Sequence, residues 1–566
     1  MIFPRRLLTA TAVCATTVVV AGCATLPKNH SPQALREYDA VAEVPTDVGP
    51  EPDQEPDLLL RDFFTASAHP TGDHAAARNY FTDSAGQEWS PEGGPLIVDR
   101  LNVSAEPGGT DDERAYTVRG RLIGRLAPGG VYQTENAQYE ATIVLTRENG
   151  QWRISSLPDE IVIERTELLN HYEPHDLYFF DDSSRVLVPD RRWVYSSEQS
   201  LDTVLIAMLM DGPSDIISPA VQPAAPPEAE FVGRHDGTYN FAGFQELDAQ
   251  ERMRFAAQLT WTLTYADVPH PYEVRIDGAP IADGYDDLTP EDFADLNPQV
   301  SSKRSATLYA LSDGHIREVS SSEAEPVEGD LGTTDDIASA DINADGDALA
   351  VRRGGEEPTL VAGNVEGVMT EVFSAEEITR PSFSREGDGA WVAVDGEDIV
   401  RIVRSSATGA LVDNDVDSGE LDDINGTISE LQMSPTGVRI AVIIGGRLYV
   451  GVVSNDGSGP ERIVNVREIG AEIGGSALSV DWNPDGSLLV GTASPETPIW
   501  RVERDGSAAT ALPAGNLSAP VVAVASSPTT LYATDEHAIR QLPASGGSWR
   551  DVPGLRGVRS AAIVAD

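Results

Sequence analysis

Apolar residues at Leu59, Phe63 and Ala66, spaced by four and three within LLLRDFFTASA, mark one face of a helix. A second, shorter helix is predicted at HAAARNYF, residues 74–81. The period then shortens to two. In AYTVRGRLIGRL, Tyr116, Val118, Leu122 and Leu126 fall on alternate positions, the pattern of a half-buried strand. In YEATIVLTRENGQWRISSLP, Tyr139, Ala141, Ile143 and Leu145 point one way, Glu148-Asn149-Gly150 turns the chain, and Trp152 and Ile154 begin the return strand. Asn-Gly suits that turn because both residues tolerate positive φ. Helices followed by a curved antiparallel sheet predict a small α+β domain over residues 58–165, for which the NTF2-like cone is the matching architecture.

A second α+β pattern covers residues 170–290. DLYFFDDSSRVLVPDRRWV predicts two strands around a turn, and SLDTVLIAMLMDGPS a helix stopped by Gly212-Pro213. In FQELDAQERMRFAAQLTWTL, Asp248 and Glu251 stand at capping-box spacing, and Met253, Ala256, Leu259 and Leu263 form an apolar stripe read as core. PYEVRIDGAPI closes the region as a strand and turn. Ahead of it, HYEPHD reads as a linker. Its His171 and His175 are four apart, a metal-ligand spacing on a helix, but Pro174 interrupts any helix there.

The third pattern repeats through residues 295–566. SADINADGDALAV, RPSFSREGDGAWVAV, ELQMSPTGVRIAVI, SVDWNPDGSLLVGT and AVASSPTTLYAT each hold an apolar strand, a turn and a second apolar strand. Asn343, Ser384, Ser434, Asn483 and Ser527 are equivalent points, spaced by about 40 to 50 residues, the length of one four-stranded propeller blade. With an opening blade near TLYALSDGHIREV, an all-β propeller of about six blades is predicted. The whole chain is therefore multidomain.

Composition narrows the partners. A formal net charge of −51 repels nucleic acid and anionic headgroups. The two cysteines, Cys14 and Cys23, lie close to the N-terminus, so no disulfide framework holds the folded part. Arg5 and Arg6 precede an apolar run from Leu7 to Ala21 that is too short to span a bilayer and fits a secretory signal. Residues 24–57 hold six prolines and the run EPDQEPD, the composition of an extended tether.

Candidate chemistry is sparse. DINADG, with Asp341, Asn343 and Asp345, and DWNPDG, starting at Asp481, match the opening of a calcium loop. An EF-hand requires a carboxylate at position twelve, where Arg352 and Thr492 stand instead. Both matches fall at the turn of the propeller repeat, so turn-building is the preferred reading, with a nonstandard calcium site as the alternative. No catalytic motif, cofactor loop or cysteine–histidine cluster is present. The chain is read as a non-enzyme without cofactor or metal.

Val20-Ala21-Gly22-Cys23 resembles the bacterial lipobox. The resemblance implies removal of residues 1–22, S-diacylglycerol and N-acyl groups on Cys23, and a tether over residues 23–57. The middle region, with VLVPDRRWV, LIAMLMDGPSDIISPAV, FAAQLTWTL and YEVRIDGAPI, is similar to the GerMN module; Leu209-Met210-Asp211-Gly212-Pro213-Ser214 stands where that module has Leu-x-x-Gly-Pro. Lipobox, NGQWRISSLP segment, GerMN-like middle and propeller together resemble the actinobacterial LpqB lipoprotein family across essentially the whole chain. That family implies a lipid-anchored protein on the outer face of the cytoplasmic membrane. Its implied partner is the extracellular domain of a sensor histidine kinase of the MtrB type, with effects on envelope and division signalling. It supplies no catalytic residues. Two other readings stay open: a peptidoglycan- or glycan-binding envelope protein, for which the cell wall is the partner, and an envelope hydrolase using the propeller.

Overall fold

A computed structural model of the chain describes residues 49–565, apart from 92, 197–199, 300–305, 321, 385–388, 406, 456 and 458. Cys23, the signal segment and most of the tether lie outside the described residues.

The first helix, Pro56–Ser67, begins with proline in its first turn, where the missing N–H costs nothing, and buries Leu59, Leu60, Phe63 and Phe64. The second, Thr71–Arg78, ends before the expected Asn79-Tyr80-Phe81. Those residues instead meet a sheet edge: Ile154 N donates to Tyr80 O and Thr82 N to Ile154 O, both at 2.9 Å. Pairing with an open strand satisfies more backbone there than another helical turn would. A third helix, Asp83–Glu88, has no counterpart in the sequence reading; Thr82 Oγ1 caps it by accepting from Ala85 N at 3.3 Å.

Strands Glu113–Ala127 and Val131–Glu148 form the long antiparallel pair of the first sheet, and Gln151–Ser156 returns beside the second. The return is a two-residue turn in which Asn149 and Gly150 have φ of 53° and 80°. Tyr116, Val118, Leu122 and Leu126 are buried, as the alternation requires.

Strands Tyr172–Asp181 and Leu187–Tyr195 pair antiparallel and open the middle module. The HYEPHD segment is thus not a linker. His171 ends helix Arg165–His171, while Pro174 and His175 lie within the strand, His175 opposite Arg192. Pro174 rules out a helix but not a strand, because an extended segment accepts proline at a ladder edge. Helix Ala249–Tyr265 carries the capping box in full: Asp248 Oδ1 accepts from Glu251 N at 2.9 Å and Glu251 Oε2 from Asp248 N at 2.7 Å. Its Ala256, Leu259 and Leu263 are fully buried beside Leu177 and Phe179.

Among the described residues the C-terminal region forms six four-stranded sheets. Five are built from consecutive strands. The remaining one joins Thr307–Ser312, His315–Val319 and Ala324–Pro326 to the last strand, Ala561–Ala565. Inner strands such as Ile428–Met433 and Ala477–Trp482 neighbour one another in turn, so face-to-face burial removes the exposed edges. Among the described residues no helix is long and apolar enough to cross a membrane.

Candidate functional site

Among the described residues, two gatherings of polar side chains bear on function. The first is axial. At equivalent points of the inner strands stand Asp341, Ser382, Gln432 and Asp481, each tied to a neighbouring sheet. Asp341 Oδ2 accepts from Phe383 N at 2.8 Å, and Asp481 Oδ2 from Ser526 N at 2.7 Å. Ser382 Oγ donates to Gln432 Oε1 at 3.2 Å and accepts from Met433 N at 2.9 Å; Trp482 Nε1 donates to Gln432 O at 3.0 Å. They line a pocket of about 80 Å³ that also meets Arg380. Its volume suits a few waters or an ion rather than a substrate of metabolite size.

Arg380 and Glu430 approach to 3.7 Å beside this pocket. Burial pushes the Glu430 carboxyl up to about 7, against the opposing pull of Arg380. Burial also works against the Arg380 charge, but Glu430, Asp481 and Asp341 outweigh it and hold the guanidinium firmly protonated. The axial site can therefore exchange one proton near neutrality around a fixed cation.

The calcium-like loops do not form a shared site. Asn343 Oδ1 accepts from Asp345 N at 3.0 Å and Asp347 N at 2.9 Å, closing its own turn. Asp485 Oδ1 accepts from Ser487 N and Oγ at 2.9 and 2.6 Å, and its other oxygen pairs with Arg501. Asp341 and Asp481 face neighbouring sheets instead of these loops. His171 and His175 also separate: His171 approaches Glu167 at 3.2 Å and meets the His69 ring at 4.5 Å, whereas His175 lies along the strand. Among the described residues no group of three or more metal-ligating side chains converges.

The second place is the junction where the smaller modules dock on the propeller. Its centre is the turn Glu503-Arg504-Asp505-Gly506-Ser507. Asp505 Oδ1 accepts from Ser507 N and Oγ, fixing the turn, and Oδ2 accepts from Trp193 Nε1 at 3.0 Å. Arg191 Nη1 donates to Glu503 at 2.5 Å, and Arg504 pairs with Asp176. Burial alone would raise the Asp176 carboxyl; Arg504 and Arg191 outweigh it and hold the group below the usual carboxylate range. Arg439 Nη2 donates to Pro189 O at 2.7 Å, Ser454 Oγ to Pro219 O at 2.7 Å, and Asn465 Nδ2 to Ile216 O at 2.8 Å. Val438 and Val452 of the propeller complete the middle module's own core. From the N-terminal side, Thr134 Oγ1 donates to Glu468 O at 3.2 Å and Arg165 Nη2 to Glu472 at 2.7 Å.

The Asp-Gly-Pro-Ser stretch serves this junction. Gly212, at φ 93°, ends helix Leu201–Asp211 and frees its carbonyl for Arg192 Nη2 at 3.1 Å. Ser214 N and Oγ both donate to Asp190 at 2.8 Å. Asp190 and Arg192 are thereby fixed on the strand that presents Arg191 and Trp193 to the propeller. Asp176, Arg504 and Asp505 carried no sequence signal for docking; the arginine-rich PDRRWV, which holds Arg191, was the visible hint.

The lipoprotein LpqB N-terminal domain description matches residues 49–169, that for sporulation and spore germination residues 176–282, and that for the lipoprotein LpqB beta-propeller domain residues 314–562. The chain is 39% identical to "Lipoprotein LpqB" of Corynebacterium diphtheriae over 99% of each chain. It is 35% identical to that of Rhodococcus jostii, over 98% of this chain and 97% of the relative. Among solved structures, TolB from Acinetobacter baumannii aligns with a TM-score of 0.32 at 11% identity, covering 48% of this chain and 70% of that one.

Proposed function

The chain belongs to the LpqB lipoprotein family, and from that premise we propose that it is a non-enzymatic accessory protein of the envelope. It is held by lipid on Cys23 at the outer face of the cytoplasmic membrane and modulates a sensor histidine kinase of the MtrB type through the kinase's extracellular domain. The observation that supports this most is the docking of two small modules onto one propeller, the middle one through Arg504–Asp176, Arg191–Glu503 and Trp193–Asp505 and the N-terminal one through Arg165–Glu472 and Thr134–Glu468. Such fixed modules hold their outer surfaces in a constant relation, which suits recognition of a large partner better than turnover of a small one.

Crosslinking followed by mild-detergent extraction and mass spectrometry tests the partner. Recovery of a sensor kinase with crosslinks to this chain is expected, and recovery of peptidoglycan fragments alone would favour the glycan-binding reading. The anchor has its own test. Intact mass should show a chain beginning at Cys23 with acyl groups, and Cys23→Ser should leave the membrane fraction, because loss of both acyl signals removes stable anchoring. A Cys23→Ser protein that stays fully membrane-bound contradicts the lipid assignment.

A further inference from the structure

At the edge of the docking junction, a cavity of about 200 Å³ opens between the N-terminal module and the propeller. Its lining brings Arg121 and Arg165 from the first module against Arg467 from the propeller strand Arg462–Glu468. Three arginines on one cavity are conspicuous in a chain with a formal charge of −51.

Their partners do not balance them. Arg467 Nη2 donates to Arg504 O at 3.1 Å, but its Nε and Nη1 are shut off from solvent and meet no protein acceptor among the described residues. Burial works against its charge, and Asp505 and Asp190 offset this only in part; their oxygens are taken up by Ser507, Trp193, Arg192 and Ser214. Among the described residues two carboxylates, Glu472 and Asp99, pair with Arg121 and Arg165, and neither pairs with Arg467. Glu472 accepts from Arg165 at 2.7 Å and lies 3.8 Å from Arg121. Asp99, at the rim, lies 3.5 Å from Arg121 and 3.7 Å from Arg165 and is half exposed. The other acids of the lining turn elsewhere, Glu468 to Arg447 at 3.1 Å and Glu135 to Arg125. A buried guanidinium so sparsely paired is costly, and an anion in the adjoining cavity lowers that cost through its charge.

We propose that this cavity binds a small oxyanion, a carboxylate or phosphate group, met by Arg121 and Arg165 and favoured through space by the buried Arg467 charge. Guanidinium forks suit the planar or tetrahedral oxygens of such groups. Because the arginines come from two modules, the bound anion ties the N-terminal module to the propeller. It thereby links ligand binding to the geometry of the docked array. This site goes beyond the accessory role and does not depend on it.

Calorimetry on the full-length protein in detergent tests the site, with inorganic phosphate and malonate as probes and sodium chloride at matched ionic strength as control. The wild-type protein should bind at least one oxyanion and not chloride; phosphate-only or malonate-only binding identifies which group the cavity takes. Arg467→Gln should weaken binding by about tenfold or more. Glu472→Gln, which frees Arg165 and Arg121, should tighten it by about threefold or more and also serves where Arg467→Gln fails to fold. No heat with either oxyanion, or binding that neither substitution changes, overturns the proposal.

Discussion

Glu430 shows how one buried side chain writes itself into the pH dependence of a propeller. Its carboxyl titrates near 7 in the folded chain because burial disfavours the anion more than Arg380 at 3.7 Å restores it. An unfolded glutamate titrates near 4.3. Between those values the folded chain binds the extra proton, so Glu430 contributes stability that is complete below about pH 4.3 and is lost as pH rises through about 7. Glu430→Gln keeps the shape of the neutral acid and removes the titration. Its melting temperature should rise relative to wild type between pH 5 and pH 8, by the equivalent of about 2 kcal/mol, a discounted figure because the site is not fully dry. Melting curves that stay parallel over that range would falsify the assignment of a neutral acid. Trp193 and Asp505 carry a second residue-scale test. A buried indole N–H and carboxylate at 3.0 Å should couple by about 1 to 2 kcal/mol in a cycle of Trp193→Phe and Asp505→Ala measured by urea unfolding. Additive losses would mean that the two side chains pack independently.

At the scale of elements, local periodicity was most informative where one element satisfies itself. The capping box at Asp248 and Glu251 was legible because both partners lie within one helical turn. Asp248→Ala should cost about 1 kcal/mol, seen as a lower urea midpoint with an unchanged slope. A changed slope would point to loosening of the middle module as a whole. The alternation of Tyr116, Val118 and Leu122 and the Asn149-Gly150 turn were legible for the same reason. The end of helix Thr71–Arg78 was read three residues too late because it is decided by a backbone pairing with Ile154, far along the chain. His171 and His175 were misplaced because a proline tells against a helix without telling which extended element replaces it. The docking residues were illegible on stronger grounds. Arg504 and Asp176 stand 328 positions apart, and each in isolation reads as an ordinary charged surface residue. The acids of DINADG and DWNPDG advertised metal chemistry, yet Asn343 and Asp485 spend their oxygens on their own turns and partners.

For the whole molecule, the important asymmetry lies between how the ring closes and how the modules dock. Strand Ala561–Ala565 completes the sheet begun by Thr307–Ser312, so the last residues of the chain hold the first sheet against its neighbours. The middle module docks instead on strands around Arg439, Ser454 and Asn465 and on the turn at Asp505. Ile563 sits in the closing strand, buried against Ile316 and Ala340. Ile563→Asp places an unpaired carboxylate there and should cost about 3 kcal/mol or more. If closure and docking are separable, hydrogen exchange should accelerate first in Thr307–Ser312 and His315–Val319, while Tyr172–Asp181 and Leu187–Tyr195 keep their protection. That outcome follows from the location of the docking bonds, none of which reaches the closing sheet among those described above. Equal loss of protection in both regions would show that ring and modules unfold as one cooperative body. An accessory protein built that way could not relay a change at one surface without risking the whole fold, and the junction would act as a rigid brace instead of an adjustable joint.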